Sequence, residues 1–173
     1  MGLALFAAFF AAAVLACRAY LFDVYRVSSA SMEPTLPVGT LVGVSPGSEG
    51  VQRGSLVVFP ASALNLPSTH RHLIKRVIAV GGDELISRDG RLILNGKPLR
   101  EPYLAPGSGA GAIDFHVKVP AGHVWLLGDN RDSSLDSRAA LGLPGGGMLE
   151  VADITGVAHW RLEPFRFKAD QLK

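Results

Sequence analysis

Between Gly2 and Cys17 the chain carries no charged side chain, and after Arg18 the apolar run resumes from Ala19 to Phe22. A helix needs about 20 residues to cross a hydrocarbon core of ~30 Å, so residues 2–22 suffice for one span if Arg18 snorkels to the headgroups. Two other readings compete. A cleavable signal peptide wants a positive n-region and a shorter apolar core, but no Lys or Arg precedes Gly2. Val14-Leu15-Ala16-Cys17 has the loose form of a lipoprotein processing box, yet it lacks the same n-region. A retained anchor over residues 1–22 is therefore expected, with residues 23–173 folding beyond it as one domain of ordinary size.

Charge and cysteine content remove several functions from consideration. A formal charge of +2 with scattered Lys and Arg makes neither the basic stripe nor the aromatic platform of a nucleic-acid binder. Cys17, the only cysteine, lies inside the apolar segment, so no intrachain disulfide and no cysteine-based metal site can form. His70 and His72 share one face of a strand, but without cysteine or clustered carboxylates they make a poor metal site.

Beyond residue 22 no sustained helical period appears. Short β-branched and aliphatic runs are separated by Gly, Pro, Asp and Asn, which predicts a mostly β, antiparallel domain. Strands are expected over 40–44, 55–59, 72–80, 115–119, 124–127 and 154–161. Between residues 83 and 122 a small accessory meander is expected, because Asp89-Gly90 and Asn95-Gly96 supply the positive φ angles that two-residue type I′ turns require. The glycine-rich stretches 106–112 and 144–147 read as mobile loops. Leu64, Leu66, Leu141, Leu143, Met148 and Leu149 lie in loops and are either folded into the core or aimed at lipid.

Three segments carry the chemistry. The first, Val27-Ser28-Ser29-Ala30-Ser31-Met32-Glu33-Pro34, presents a candidate nucleophile just beyond the apolar segment. The second, Leu73-Ile74-Lys75-Arg76-Val77-Ile78, places a lysine inside an aliphatic strand. Leu73, Lys75 and Val77 share one face and Arg76 points to the other, so Lys75 can enter an apolar site. Serine is a poor nucleophile until a base takes its proton, and lysine can do so only as a neutral amine; desolvation among aliphatic neighbours lowers its pKa from ~10.4 toward that state. If 29–31 is extended, Ser29 and Ser31 share a face, so the Ser29 hydroxyl and the Ser31 N–H can receive an oxyanion together. The third segment is Gly128-Asp129-Asn130-Arg131-Asp132-Ser133-Ser134-Leu135-Asp136-Ser137-Arg138. Asp129, Asn130 and Asp132 read as turn formers.

In this order the three segments resemble the bacterial type I signal peptidases. The resemblance implies a signal-peptidase-type antiparallel β domain behind one transmembrane helix, with Ser31 as nucleophile, Lys75 as general base and Ser29 as oxyanion donor. It also implies that the Ser134 hydroxyl orients the lysine amine and that Asp136 and Arg138 form a buried ion pair beside the site. The expected partners are exported preproteins with small residues at the first and third positions before the cut, together with the lipid bilayer, and no metal or organic cofactor is required. The implied location is the outer face of the cytoplasmic membrane, although Arg18 and Arg26, on the C-terminal side of the apolar run, would by charge alone keep that side inside. Ala110-Gly111-Ala112 has the same small-residue spacing, which makes self-cleavage after Ala112 conceivable. One departure stands out: where such enzymes have an aromatic-Gly pair and a Val-Pro run after the arginine, this chain has Ala139-Ala140-Leu141-Gly142-Leu143-Pro144 and three glycines. Other readings are a conjugative-transfer peptidase of the same superfamily, an autoprotease of the SOS-repressor type, and an anchored β module that binds exported chains without cutting them.

Overall fold

The computed structural model describes residues 22–162, the backbone of 163 and 166–171, and Phe6, Phe9 and Phe10. The expected anchor falls almost wholly outside these residues. No helix among those described is long and apolar enough to cross a membrane.

Two antiparallel sheets make the domain. The larger runs β1 (Asp23–Arg26), β2 (Leu41–Pro46), β11 (Gly156–Glu163), β3 (Leu56–Pro60), β4 (His72–Val80), β9 (His123–Leu127), β10 (Leu149–Glu150), with β12 (Arg166–Gln171) also on β11. In the smaller the order is β7 (Lys97–Pro98), β6 (Arg91–Leu94), β5 (Glu84–Arg88), β8 (Phe115–Lys118). The expected strands all form, with ends shifted by a residue or two, and β1, β10 and β12 join them. Asp89, Gly90, Asn95 and Gly96 all have positive φ, so both tight turns of the small sheet take the predicted form.

Alternation along β3 explains how the large sheet is covered on both faces. Leu56 and Val58 enter an apolar cluster with Met32, Leu36, Val42 and Val44, whereas Val57 and Phe59 enter another with Leu73, Val77, Leu126 and Leu149. Burying each Val, Leu or Phe side chain contributes about 1.5–3 kcal/mol. In β4 a bulge between Val77 and Ala79 breaks the alternation, and Ile78 and Ala79 both join a third cluster with Trp125, Leu127, Leu85 and Phe115 that binds the small sheet to the large one.

The loop leucines divide unequally between the two readings. Leu64, Leu66 and Leu149 are buried in the core and Leu141 and Met148 pack against it, leaving Leu143 exposed. Nor do the glycine-rich stretches lack packing. Ala110 is buried, its N–H donates to the Gly90 carbonyl at 2.8 Å, and its own carbonyl accepts from Arg138 Nη1 at 3.0 Å. Self-cleavage after Ala112 would have to extract Ala110 from these contacts, so the expectation of a freely extending loop is corrected. In the second stretch Gly147 is buried.

Candidate active site

Ser31 is delivered by a turn rather than by a strand. Ser29 is extended (φ −137°, ψ 158°), after which the backbone tightens into a 3-10 turn over Ala30–Met32. The extended 29–31 segment expected from the sequence therefore ends two residues early, although the Ser29 and Ser31 hydroxyls still stand 3.2 Å apart. Met32, seated in the apolar cluster, holds the turn from below. From the side, Asn130 donates its backbone N–H to the Ser31 carbonyl at 3.0 Å and its side-chain amide to the Ala30 carbonyl at 3.2 Å.

Lys75 comes from the middle of β4, opposite Val57 of β3. It is 2 % exposed and Ser31 7 %, so both polar groups meet in a nearly dry environment. Lys75 Nζ donates to Ser31 Oγ at 2.7 Å and to the Ile74 carbonyl at 3.0 Å. Burial pushes the amine pKa down to about 8, opposed by the Asp136 and Asp129 carboxylates, which pull it up. Roughly a tenth of such an amine is neutral at pH 7, and in that form its lone pair can accept the serine proton.

The pair borders two adjoining depressions that open onto solvent. One, of about 40 Å³, is walled by Tyr25, Val27, Ser28, His72 and Ile74; the other, of about 300 Å³, by Ala30, Pro67, Thr69, Ser133 and Leu135. Ser29, Ser31, Lys75, His70 and Leu73 line both. His70 Nδ1 lies 3.4 Å from Ser28 Oγ and the His72 ring meets Tyr25 edge-on, so both histidines serve as wall.

In the third segment Asp136 and Arg138 form a buried, two-pronged pair: Arg138 Nε donates to Oδ1 at 2.9 Å and Nη2 to Oδ2 at 2.8 Å. Their proximity comes from a cap, since Asp136 precedes the 3-10 turn Ser137–Ala140 and accepts the Arg138 N–H at 3.2 Å. Ser134, expected to bond the lysine amine, does not do so. Its buried hydroxyl has no hydrogen-bond partner among the described residues and rests against Gly128.

Asp129 is a buried partner rather than a turn former. Arg76, on the β4 face opposite Lys75, donates to Asp129 from Nε at 2.8 Å and Nη2 at 2.7 Å, and Thr35 Oγ1 adds a bond of 2.5 Å. The sequence did hold a signal for this pairing: a charged residue inside a strand buried on both faces must find a counter-charge.

Gly128 sets the closeness of the whole arrangement. A Cβ there would stand 2.2 Å from Ser134 Oγ and 2.5 Å from the Ser31 carbonyl. Gly128→Ala is accordingly expected to cost about 1–3 kcal/mol through overpacking and to lower turnover sharply, because the Ser31 backbone cannot yield freely. Thermal unfolding and a cleavage assay check this; an alanine variant with normal turnover would show that the turn is softer than its packing suggests.

An antiparallel β domain that buries a serine hydroxyl against a lysine amine has the constellation that a Ser/Lys hydrolase requires. The family model "Signal peptidase, peptidase S26" matches residues 1–163. Signal peptidase I of Bacillus licheniformis is 36 % identical over 162 residues, 87 % of this chain and 82 % of that one. Signal peptidase I U of Bacillus subtilis (strain 168) is 30 % identical over 165 residues, 90 % of this chain and 83 % of that one. A crystal structure of a signal peptidase I from Enterococcus faecalis V583 aligns at a TM-score of 0.49 and 28 % identity, covering 63 % of this chain and 97 % of that one. The chain belongs to the signal peptidase family, peptidase S26, as a serine protease of the signal peptidase I type.

Proposed function

We propose that this protein is a membrane-anchored endopeptidase that removes N-terminal signal peptides from exported preproteins, with Ser31 as nucleophile and Lys75 as general base. The observation that carries the reading is the 2.7 Å contact between two buried groups, one of them an amine lowered to about 8. Neutral Lys75 takes the proton of Ser31 Oγ as that oxygen attacks the scissile carbonyl. The Ser29 hydroxyl and the Ser31 N–H then receive the oxyanion. Lys75 passes its proton to the leaving amine, and a water, deprotonated by the same lysine, releases the acyl group and restores the serine. Asp136 and Arg138 hold the adjoining backbone, and Ser134, whose hydroxyl rests against Gly128, keeps the role the resemblance gives it, orienting the lysine amine.

A substrate lying extended across the two depressions sends alternate side chains into them, in keeping with small residues at the first and third positions before the cut. The apolar stretch of residues 2–22 is read as a single-pass anchor, with the domain on the outer face of the cytoplasmic membrane. Incubating the full chain in detergent or liposomes with a purified preprotein, and locating the cut by mass, tests the function. Cleavage on the carboxyl side of a small-x-small triplet is expected; an intact preprotein, or cuts scattered without regard to small residues, would refute it.

A further inference from the structure

The loop between β7 and β8 sets two largely covered polar residues, Glu101 and Tyr103, against arginines behind the turn that holds Ser31. Glu101 receives both arms of Arg131, from Nη1 at 3.1 Å and from Nη2, and the Tyr103 hydroxyl donates to it at 2.7 Å. The Arg131 side chain is 1 % exposed and that of Glu101 9 %, which sets this pair apart from screened surface ion pairs. The Tyr103 ring lies 3.9 Å from the Arg76 guanidinium. Burial, helped by the Glu101 charge, holds its hydroxyl above the ordinary tyrosine range, so it remains a donor.

From these two arginines the contacts run into the nucleophile turn. Arg131 Nε donates to the Gly128 carbonyl at 3.0 Å, while Arg76 grips Asp129, which in turn takes the Thr35 hydroxyl. Asn130, between them, holds the carbonyls of Ala30 and Ser31. The stretch from 128 to 131 is thus clamped from behind by Glu101 and Tyr103 and grips residues 30–35 in front.

We propose that Glu101 and Tyr103 are positioning residues for the peptidase reaction, fixing Ser31 through Arg131, Arg76 and the 128–131 segment. The inference rests on Ser31 being the nucleophile. Releasing the clamp leaves Arg131 buried without its counter-charge and lets the turn shift, and a displacement of about 1 Å at the reacting oxygen lowers turnover by up to ~100-fold. Neither residue lines the two depressions, so substrate affinity stays nearly constant.

The test measures kcat, KM and the pH profile of full-length Glu101→Gln and Tyr103→Phe on a preprotein, below the unfolding temperature, beside Ser31→Ala. Expected for Glu101→Gln is a kcat reduced at least tenfold with KM within about threefold of the parent, and for Tyr103→Phe, which keeps the ring, a smaller fall of the same kind. The midpoint of the pH profile should not move. Should Glu101→Gln fail to fold, the Tyr103→Phe result alone decides. Unchanged kcat with only a lower melting temperature would make the clamp merely structural and overturn the proposal. A shifted pH midpoint at full amplitude would make Glu101 an electrostatic influence on Lys75 and overturn it equally. Cleavage by Ser31→Ala would instead overturn the reading of the nucleophile, so the two failures are told apart.

Discussion

Replacing Lys75 by methionine leaves a stably folded protein with no measurable preprotein cleavage, and Ser31→Ala does the same. Methionine matches the length and apolar character of the lysine stem and removes only the amine, so a site that already desolvates Nζ receives it at little cost and gains stability near neutral pH. What disappears is the amine 2.7 Å from Ser31 Oγ, the proposed base. Lys75→Arg is also expected to be inactive, because a guanidinium stays charged and cannot take the serine proton. In the unmodified enzyme kcat/KM rises with pH through about 8, since the protonated amine is the inactive form and burial places its deprotonation there. Preprotein processing across pH 6 to 10, with circular dichroism on each variant, checks both statements. Turnover by Lys75→Met, or a rising limb that vanishes on replacing His70 or His72, would move the role of base to a histidine on the pocket wall.

How much of this was legible in the residues depended on how local each signal was. Lys75 inside an aliphatic run and the Asp-Gly and Asn-Gly turns are statements about neighbours in sequence, and the strands and hairpins they predict all form. The turn at Ala30–Met32 was not legible, because nothing local separates three extended residues from a 3-10 turn whose tightness depends on Asn130, a hundred positions away, holding the Ala30 carbonyl. Distance in sequence hid the buried charges as well. Arg76 meets Asp129 and Arg131 meets Glu101 across 53 and 30 positions, and each acid taken alone reads as an ordinary turn or surface residue. The loop leucines were ambiguous for a related reason: Leu64 is apolar whether it faces lipid or lies on a core formed by residues from β3, β4 and β9.

Asp136→Asn is expected to destabilise the fold by about 3–5 kcal/mol, a large part of the 5–15 kcal/mol that holds a domain of this size together. Asp136 is fully buried, and its two carboxylate oxygens accept from Arg138 Nε, Nη2 and N–H and from the Gly128 N–H at 3.0 Å. An amide offers one acceptor where all these donors point and turns its own N–H groups toward the rest. Arg138 would then remain buried with at most that one amide oxygen and the carbonyls of Ala110 and Arg131, at 3.0 and 2.8 Å, and no counter-charge from Asp136. The penalty belongs to the orphaned charge rather than to the lost attraction, so replacing both partners, as in Asp136→Leu with Arg138→Met, should recover most of the stability. A second effect separates this position from a purely structural one. The Asp136 carboxylate raises the Lys75 pKa, so its neutralisation moves the rising limb of kcat/KM to lower pH in whatever fraction stays folded. Urea unfolding of the single and double variants, together with the pH profile of Asp136→Asn at low temperature, reads both effects. A limb that stays in place would show that solvent screens the carboxylate from the amine, and a double variant as unstable as the single one would show that the carboxylate's bonds to the backbone, not its pairing with Arg138, hold this corner of the site.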